Sequence, residues 1–350
     1  MLRNRKFPRL YWKVMVRCNS IRALFCKSDG GYNIYDDDQD SLKVLNRPRN
    51  RVIVTVAVAS LIAIGILVTV ILLRDTTPKA TYNRENDPKL RALIEVSPAA
   101  AKLPKKGQLF CWVQTSAIYH DTRSMAINET WIHRCDHGQL FTSEKFNDTR
   151  IPYSTVFAGI PDDYHNLFFK SRYAFYHIYT NISSQFDWYL KADDDTYVVV
   201  EHLKTFLSTL NPDEPHYLGY VLKPYLKNGY NAGGAGYILS KAALKIFAEK
   251  LYPNASLCPD DIYEDVGIGR CLANAGIFPE DTRNSKGQNR FNTFSPKDTY
   301  YQTKATTQWV KYPEKKGYSA FADDLISFHK LSPDDIRLFD ILLYRIHRNH

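Results

Sequence analysis

Several signatures that would assign chemistry at once are missing from this chain of 350 residues. There is no GxxxxGK[ST] run and no complete GxGxxG after a strand, so P-loop and Rossmann dinucleotide readings fail. No CxxC or nearby Cys/His spacing exists, and zinc, the rival use for the cysteines, is left without its usual ligand pattern. Basic excess is scarce over most of the length. The net charge is +9, yet the surplus is concentrated before residue 52, at positions such as Arg3, Arg5, Lys6, Arg9, Lys13, Arg17 and Arg22. The remainder is close to balanced, so a nucleic-acid-binding face on the folded part is not supported.

One long hydrophobic run is present. Val52 to Leu73 is apolar over about 22 residues, enough for a helix rising about 1.5 Å per residue to cross about 30 Å of hydrocarbon. It is too long and starts too late for a cleaved signal peptide. Arg47, Arg49 and Arg51 flank its N-terminal side, which predicts a cytoplasmic tail over 1–51 and a luminal or extracellular remainder. The expectation is a single-pass type II membrane protein. Sequons agree with that orientation: Asn128, Asn147, Asn181 and Asn254 all follow the run, and none precedes it. Of six cysteines, Cys111, Cys135, Cys258 and Cys271 lie on the oxidising side and form two sequence-local couples. The expected bridges are Cys111–Cys135 and Cys258–Cys271, although four cysteines allow three connectivities. Cys18 and Cys26 are expected as free thiols.

Residues 74–107, rich in Pro, Lys, Asn and Ala, read as a stem. From Gln108 the texture changes, and 108–350 is expected to be the folded domain. Leu109–Val113 and Phe186–Ala192 read as buried strands, Tyr217–Val221 and Gly236–Leu239 as further strands. Helices are expected over Thr122–Arg134, after Pro161-Asp162-Asp163, over Glu201–Leu210, and over Lys241–Leu251 with Ser240 as N-cap. This alternation predicts an α/β layer structure with a largely parallel sheet. Ligands in such sheets bind beyond the strand C-termini, where Thr115 and Asp193–Asp195 both fall.

Asp193-Asp194-Asp195 is confined between two apolar runs, so its mutual repulsion is most easily relieved by a divalent cation. Asp36-Asp37-Asp38, with no apolar strand before it, is a solvated acidic patch by comparison. A strand-end turn with exposed acids is the simpler alternative for the later triplet. Asn231-Ala232-Gly233-Gly234-Ala235-Gly236-Tyr237 is a small-residue loop that either admits a ligand closely or simply turns the chain. Glu264-Asp265 begins a helix, as capping acids or as a general base. His329 ends the run Leu325–His329, where it is either structural or completes a metal site.

Taken in order, Asp187–Tyr197, Gly229–Ser240, Glu264–Cys271 and Ser327–His329 behind a type II anchor resemble the β1,3-glycosyltransferases over roughly residues 108–335. The likeness is strongest to the members that build mucin-type O-glycans in the Golgi. It implies a GT-A fold, Mn²⁺, and inverting transfer of galactose from UDP-galactose to the 3-hydroxyl of GalNAc on glycoprotein acceptors. It places the metal on Asp193, Asp195 and His329, and the base in the Glu264-Asp265 pair, with Asp265 favoured. It also implies that Lys170 meets the diphosphate, and it nominates Thr115, Arg134, Asp194 and Gly234 on the donor side. Trp309, Tyr312 and Tyr237 are nominated on the acceptor side. The segments Thr307–Pro313 and Tyr318–Asp324 depart from the family pattern, being sparser in aromatics and lacking a cysteine pair. Acceptor identity is therefore less constrained than donor handling. A relative with another donor or acceptor, or a non-catalytic chaperone-like relative, stays open, as does the oligomeric state, with a homodimer among the options.

Overall fold

The computed structural model describes residues 88–302 and 308–346, together with Ser60. The chain divides into two compact units, Met1–Lys79 and Ala80–His350, and all described residues except Ser60 belong to the second. The predicted tail, the apolar stretch apart from Ser60, and the first part of the stem lie outside the described residues. Among the described residues, no helix is long and apolar enough to cross a membrane.

The strands in chain order are β1 (Lys106–Gln114), β2 (His137–Phe141), β3 (Tyr153–Ser154), β4 (Gln185–Asp193), β5 (Tyr197–Val198) and β6 (Tyr217–Gly219). They are followed by β7 (Val221–Leu222), β8 (Tyr230–Asn231), β9 (Tyr237–Ser240), β10 (Phe291–Asn292) and β11 (Ser327–Phe328). The main sheet has the order β3-β2-β1-β4-β9-β6. β1 and β4 lie at its centre and are apolar on both faces, as expected of strands covered by helices on each side. Alternate residues feed two separate cores: Leu109, Cys111, Val113 and Leu190 on one face, Phe110, Trp112 and Tyr189 on the other.

The sheet is mixed but, as expected, largely parallel: five of its six strands run in one direction and β9 alone is reversed. β3, β2, β1 and β4 run parallel, but β9 is antiparallel to both β4 and β6. The reason is local. The small-residue loop lies at the end where β4 leaves the sheet, so the strand that follows it must return in the opposite direction. Lys191 near the end of β4 is thereby paired with Tyr237 at the start of β9.

Three expected elements are altered. The helix over Thr122–Arg134 is interrupted: an α-helix covers Met125–Glu129 and a tighter turn covers Trp131–Arg134. Thr130 leaves helical backbone between them, its hydroxyl bonding back to the Ala126 carbonyl. The helix Lys241–Ile246 is capped by Ser240, whose side chain accepts from the Ala243 amide, and it continues as a wider turn to Leu251. Tyr217–Val221 divides at Tyr220 into β6 and β7, which join different sheets.

Both expected disulfides are present, Cys111–Cys135 and Cys258–Cys271. The first ties β1 to the turn before β2. The second anchors the helix Glu264–Asn274 through one of its buried turns. Residues 93–107, within the predicted stem, bond to the domain edge: Ser97 Oγ donates to the Ile151 carbonyl and the Glu95 amide donates to Thr155. Asn147, Asn181 and Asn254 are exposed, whereas Asn128 is half-buried with its side-chain oxygen enclosed.

Candidate active site

The acidic turn follows directly from β4. A second, small sheet has the order β10-β11-β5, with Phe328 paired antiparallel to Tyr197. This pairing brings the residue after Phe328 alongside the turn. The result is a cluster of Asp193, Asp195 and His329, whose ligand atoms all lie within 4.8 Å of one another. His329 Nε2 is 3.1 Å from Asp195 Oδ1, and its Nδ1 lies 3.2 Å from the Thr293 carbonyl. A proton on Nδ1 directed at that carbonyl leaves Nε2 as the ligand atom, the usual way a second partner orients a metal-binding imidazole. Two carboxylates and one imidazole form a donor set that suits Mn²⁺ or a similar divalent ion.

Asp194, the middle acid, faces away from this cluster. It accepts from Thr115 Oγ1 at 2.7 Å and pairs with Arg123 at 3.2 Å. Burial pushes its carboxyl up to about 6, although Thr115 and Arg123 oppose the rise. Burial acts on Asp195 in the same sense, but the hydrogen bond and charge of His329, helped by Arg123, hold its carboxyl below the usual range. Thr115 therefore shapes the turn from beneath.

The Gly loop forms the opposite wall. Thr196 Oγ1 donates to the Gly234 carbonyl at 2.6 Å and Ser327 Oγ donates to the Ala235 carbonyl at 2.6 Å. The loop is thus tied to both the acidic turn and β11. The Gly233 amide reaches Asp265 Oδ2 at 3.4 Å. A β-carbon on Gly233 would lie 2.4 Å from Glu264 Oε2. Close approach of a side chain, rather than a turn, is what requires glycine there.

Glu264 and Asp265 open the helix Glu264–Asn274 and differ in setting. Glu264 is buried and accepts from the Tyr237 hydroxyl at 2.7 Å. Asp265 is less enclosed, and its Oδ1 accepts from the Val266 amide at 2.9 Å. Burial first, and the neighbouring Glu264 charge second, push the Asp265 carboxyl up to about 6. A carboxylate poised there is suited to taking a proton near neutral pH.

Other nominated residues fall elsewhere. Tyr237 is fully buried beneath the acid pair, and burial raises its hydroxyl well above the usual value; it supports Glu264 rather than lining an acceptor surface. Arg134 bonds Asp340 at 2.6 Å, with Tyr344 stacked on it at 3.7 Å, so its guanidinium is committed to the C-terminal helix. Lys170 is buried and ion-paired with Asp162. Trp309 is partly exposed and meets Tyr225, which in turn stacks on Tyr263, the residue before Glu264. Tyr312 packs under Arg283 at 4.2 Å.

Two residues were overlooked in the sequence. Arg123 contacts Asp194 and Asp195. Lys191 has a side chain only 2% exposed and bonds Asp193 Oδ1 at 2.5 Å. Burial alone would lower its ammonium pKa, but Asp193, Glu264 and Asp265 outweigh burial and raise it, so it stays charged. A lysine inside an apolar strand was the available signal for Lys191; nothing local distinguished Arg123.

An acidic strand-end cluster completed by a histidine faces a helix that begins with two carboxylates, an arrangement suited to a glycosyltransferase. Comparison with known proteins agrees. The Fringe-like family profile matches residues 105–277. Glycoprotein-N-acetylgalactosamine 3-beta-galactosyltransferase 1 of Xenopus laevis is 30% identical over 261 residues, covering 73% of this chain and 71% of that protein. Human chondroitin sulfate synthase 3 is 27% identical over 58% of this chain but only 24% of its own length. Among solved structures, an active-site mutant of LgtC aligns over 63% of this chain and 86% of its own at 13% identity and a TM-score of 0.40, too loose to transfer anything from. The chain belongs to the core 1 β1,3-galactosyltransferase family.

Proposed function

We propose that this protein is a metal-dependent inverting transferase moving galactose from UDP-galactose to the 3-hydroxyl of GalNAc on O-glycosylated proteins. One observation carries the reading: the Gly loop meets the Asp193, Asp195 and His329 cluster through Gly234, beside His329, and meets Asp265 through Gly233, and the Asp265 carboxyl is pushed up to about 6. The name of the Xenopus relative, an N-acetylgalactosamine 3-beta-galactosyltransferase, supports the choice of donor sugar and acceptor. The anchor rests on the Val52–Leu73 stretch and its flanking arginines, and the Golgi placement on the family resemblance alone.

Asp193, Asp195 and His329 would hold Mn²⁺, which supplies positive charge for the diphosphate as the leaving group departs. Arg123, beside Asp195, adds a fixed cation at the same rim. Asp265 accepts the proton of the acceptor hydroxyl as that oxygen bonds to C1 of the sugar. The bond from C1 to the diphosphate oxygen breaks, and UDP leaves with both electrons of that bond. Glu264 keeps negative charge beside Asp265, which raises the basicity of the proton acceptor.

The test is a panel of UDP-sugars and acceptors with the purified chain and Mn²⁺. UDP-galactose with an O-GalNAc glycopeptide is expected to give transfer. No UDP release with any donor would overturn the enzyme reading, and transfer from another donor would redirect it within the family.

A further inference from the structure

Lys191 connects parts of the site that the sequence keeps separate. Its ammonium contacts Asp193 Oδ1 at 2.5 Å, the Gly233 carbonyl at 3.5 Å and Glu264 Oε2 at 3.8 Å. These partners belong to the acidic turn, the Gly loop and the helix bearing the acid pair. The pairing of β4 with β9 brings Lys191 opposite Tyr237, and Nζ lies 5.9 Å from that ring's centre. A well-packed apolar residue could fill such a position at no loss of stability, since desolvating an ion pair roughly cancels its attraction. What the ammonium adds is fixed carboxylate geometry.

We propose that Lys191 is a positioning residue, the tie that holds the acid pair at a set place relative to the metal-holding carboxylate Asp193. Its contacts divide the labour of the acids. Asp193 gives Oδ1 to Lys191 and is also one of the three residues of the metal-competent cluster. Glu264 has Oε1 bonded by Tyr237 and Oε2 facing Lys191, so both of its oxygens are engaged. Asp265, whose carboxylate accepts from two backbone amides among the described residues, is left as the group that takes the proton. Lys191 thus acts through Glu264 and the Gly loop on where Asp265 stands. The proposal rests on the transferase reading given above.

The experiment is K191M in the full chain, which keeps most of the side chain's bulk and removes its charge. The expected result is a 30- to 100-fold fall in kcat, with the KM for UDP-galactose and the calorimetric affinity for UDP with Mn²⁺ changed less than threefold. K191M/E264Q is expected to lose no more than the worse single variant, because both cut the same tie. An unchanged kcat in K191M, or losses that multiply in the double variant, would overturn the proposal. Equal losses of kcat and UDP affinity would overturn it too, marking general collapse of the site. Should K191M not fold, E264Q alone must show the same split, and wild-type kcat there sinks the idea. An inactive wild type would take down both readings, whereas an active wild type with an unaffected K191M sinks the tie alone.

Discussion

Gly234 lies against the face of His329: a β-carbon built on it would stand 2.0 Å from Cε1 and 2.3 Å from Nε2 of the imidazole. The glycine makes room for this imidazole. Its carbonyl, held by Thr196, fixes its position relative to the acidic turn. Gly234→Ala must therefore displace His329. The expected outcome is at least a tenfold rise in the Mn²⁺ concentration for half-maximal activity with little change in Tm, read by metal titration and thermal melting.

Asp265→Asn removes the proton acceptor and keeps the shape. General-base catalysis contributes about 10²- to 10⁴-fold, and a kcat loss in that range is expected with UDP binding retained. The wild-type rate has a matching pH signature. With the carboxyl at about 6, it is protonated and unable to accept a proton at lower pH. Activity should rise through pH 6 and level off above it. A rate that stays constant from pH 7 down to pH 5 would exclude Asp265 as the base.

Metal removal tests the cluster directly. Activity should vanish in excess EDTA and return with Mn²⁺, and His329→Ala should shift the Mn²⁺ requirement upward. Full activity in EDTA would count against a metal role for Asp193, Asp195 and His329.

Tyr237→Phe leaves the ring in place and strips one buried hydrogen bond from Glu264. A loss of about 1 to 2 kcal/mol is expected, since the partner is a charged group left partly unsatisfied. Chemical denaturation measures this.

The Cys258–Cys271 bridge closes a short loop, with a sequence separation of 13. The double serine variant should lose about 3 kcal/mol of stability. Because Cys271 lies in the helix that starts at Glu264, kcat is expected to fall together with Tm, as measured on the same samples.

Much of this protein was legible before folding, for reasons that are local. Carboxylates caught between apolar runs, as at Asp193–Asp195, advertise a cation site because repulsion must be relieved somewhere. Ser240 announced a helix because a hydroxyl there satisfies the amide three residues on. Cysteines close in sequence paired as expected. Periodicity could not show that β9 runs against β4, since alternation is the same in either direction. Nor could it show that Tyr237, aromatic and beside glycines, points into the core.

The amino-acid sequence by itself determined the cast: acidic turn, glycine loop, acid pair, late histidine, and the family they mark. Tertiary structure decided the assembly. Pairing of β11 with β5 carries His329 to Asp195, and pairing of β9 with β4 places the Gly loop, Tyr237 and Lys191 under the acid pair. These contacts join residues far apart in the chain. Their geometry depends on strand direction and on two glycines with no side chain in the way, which local composition does not encode.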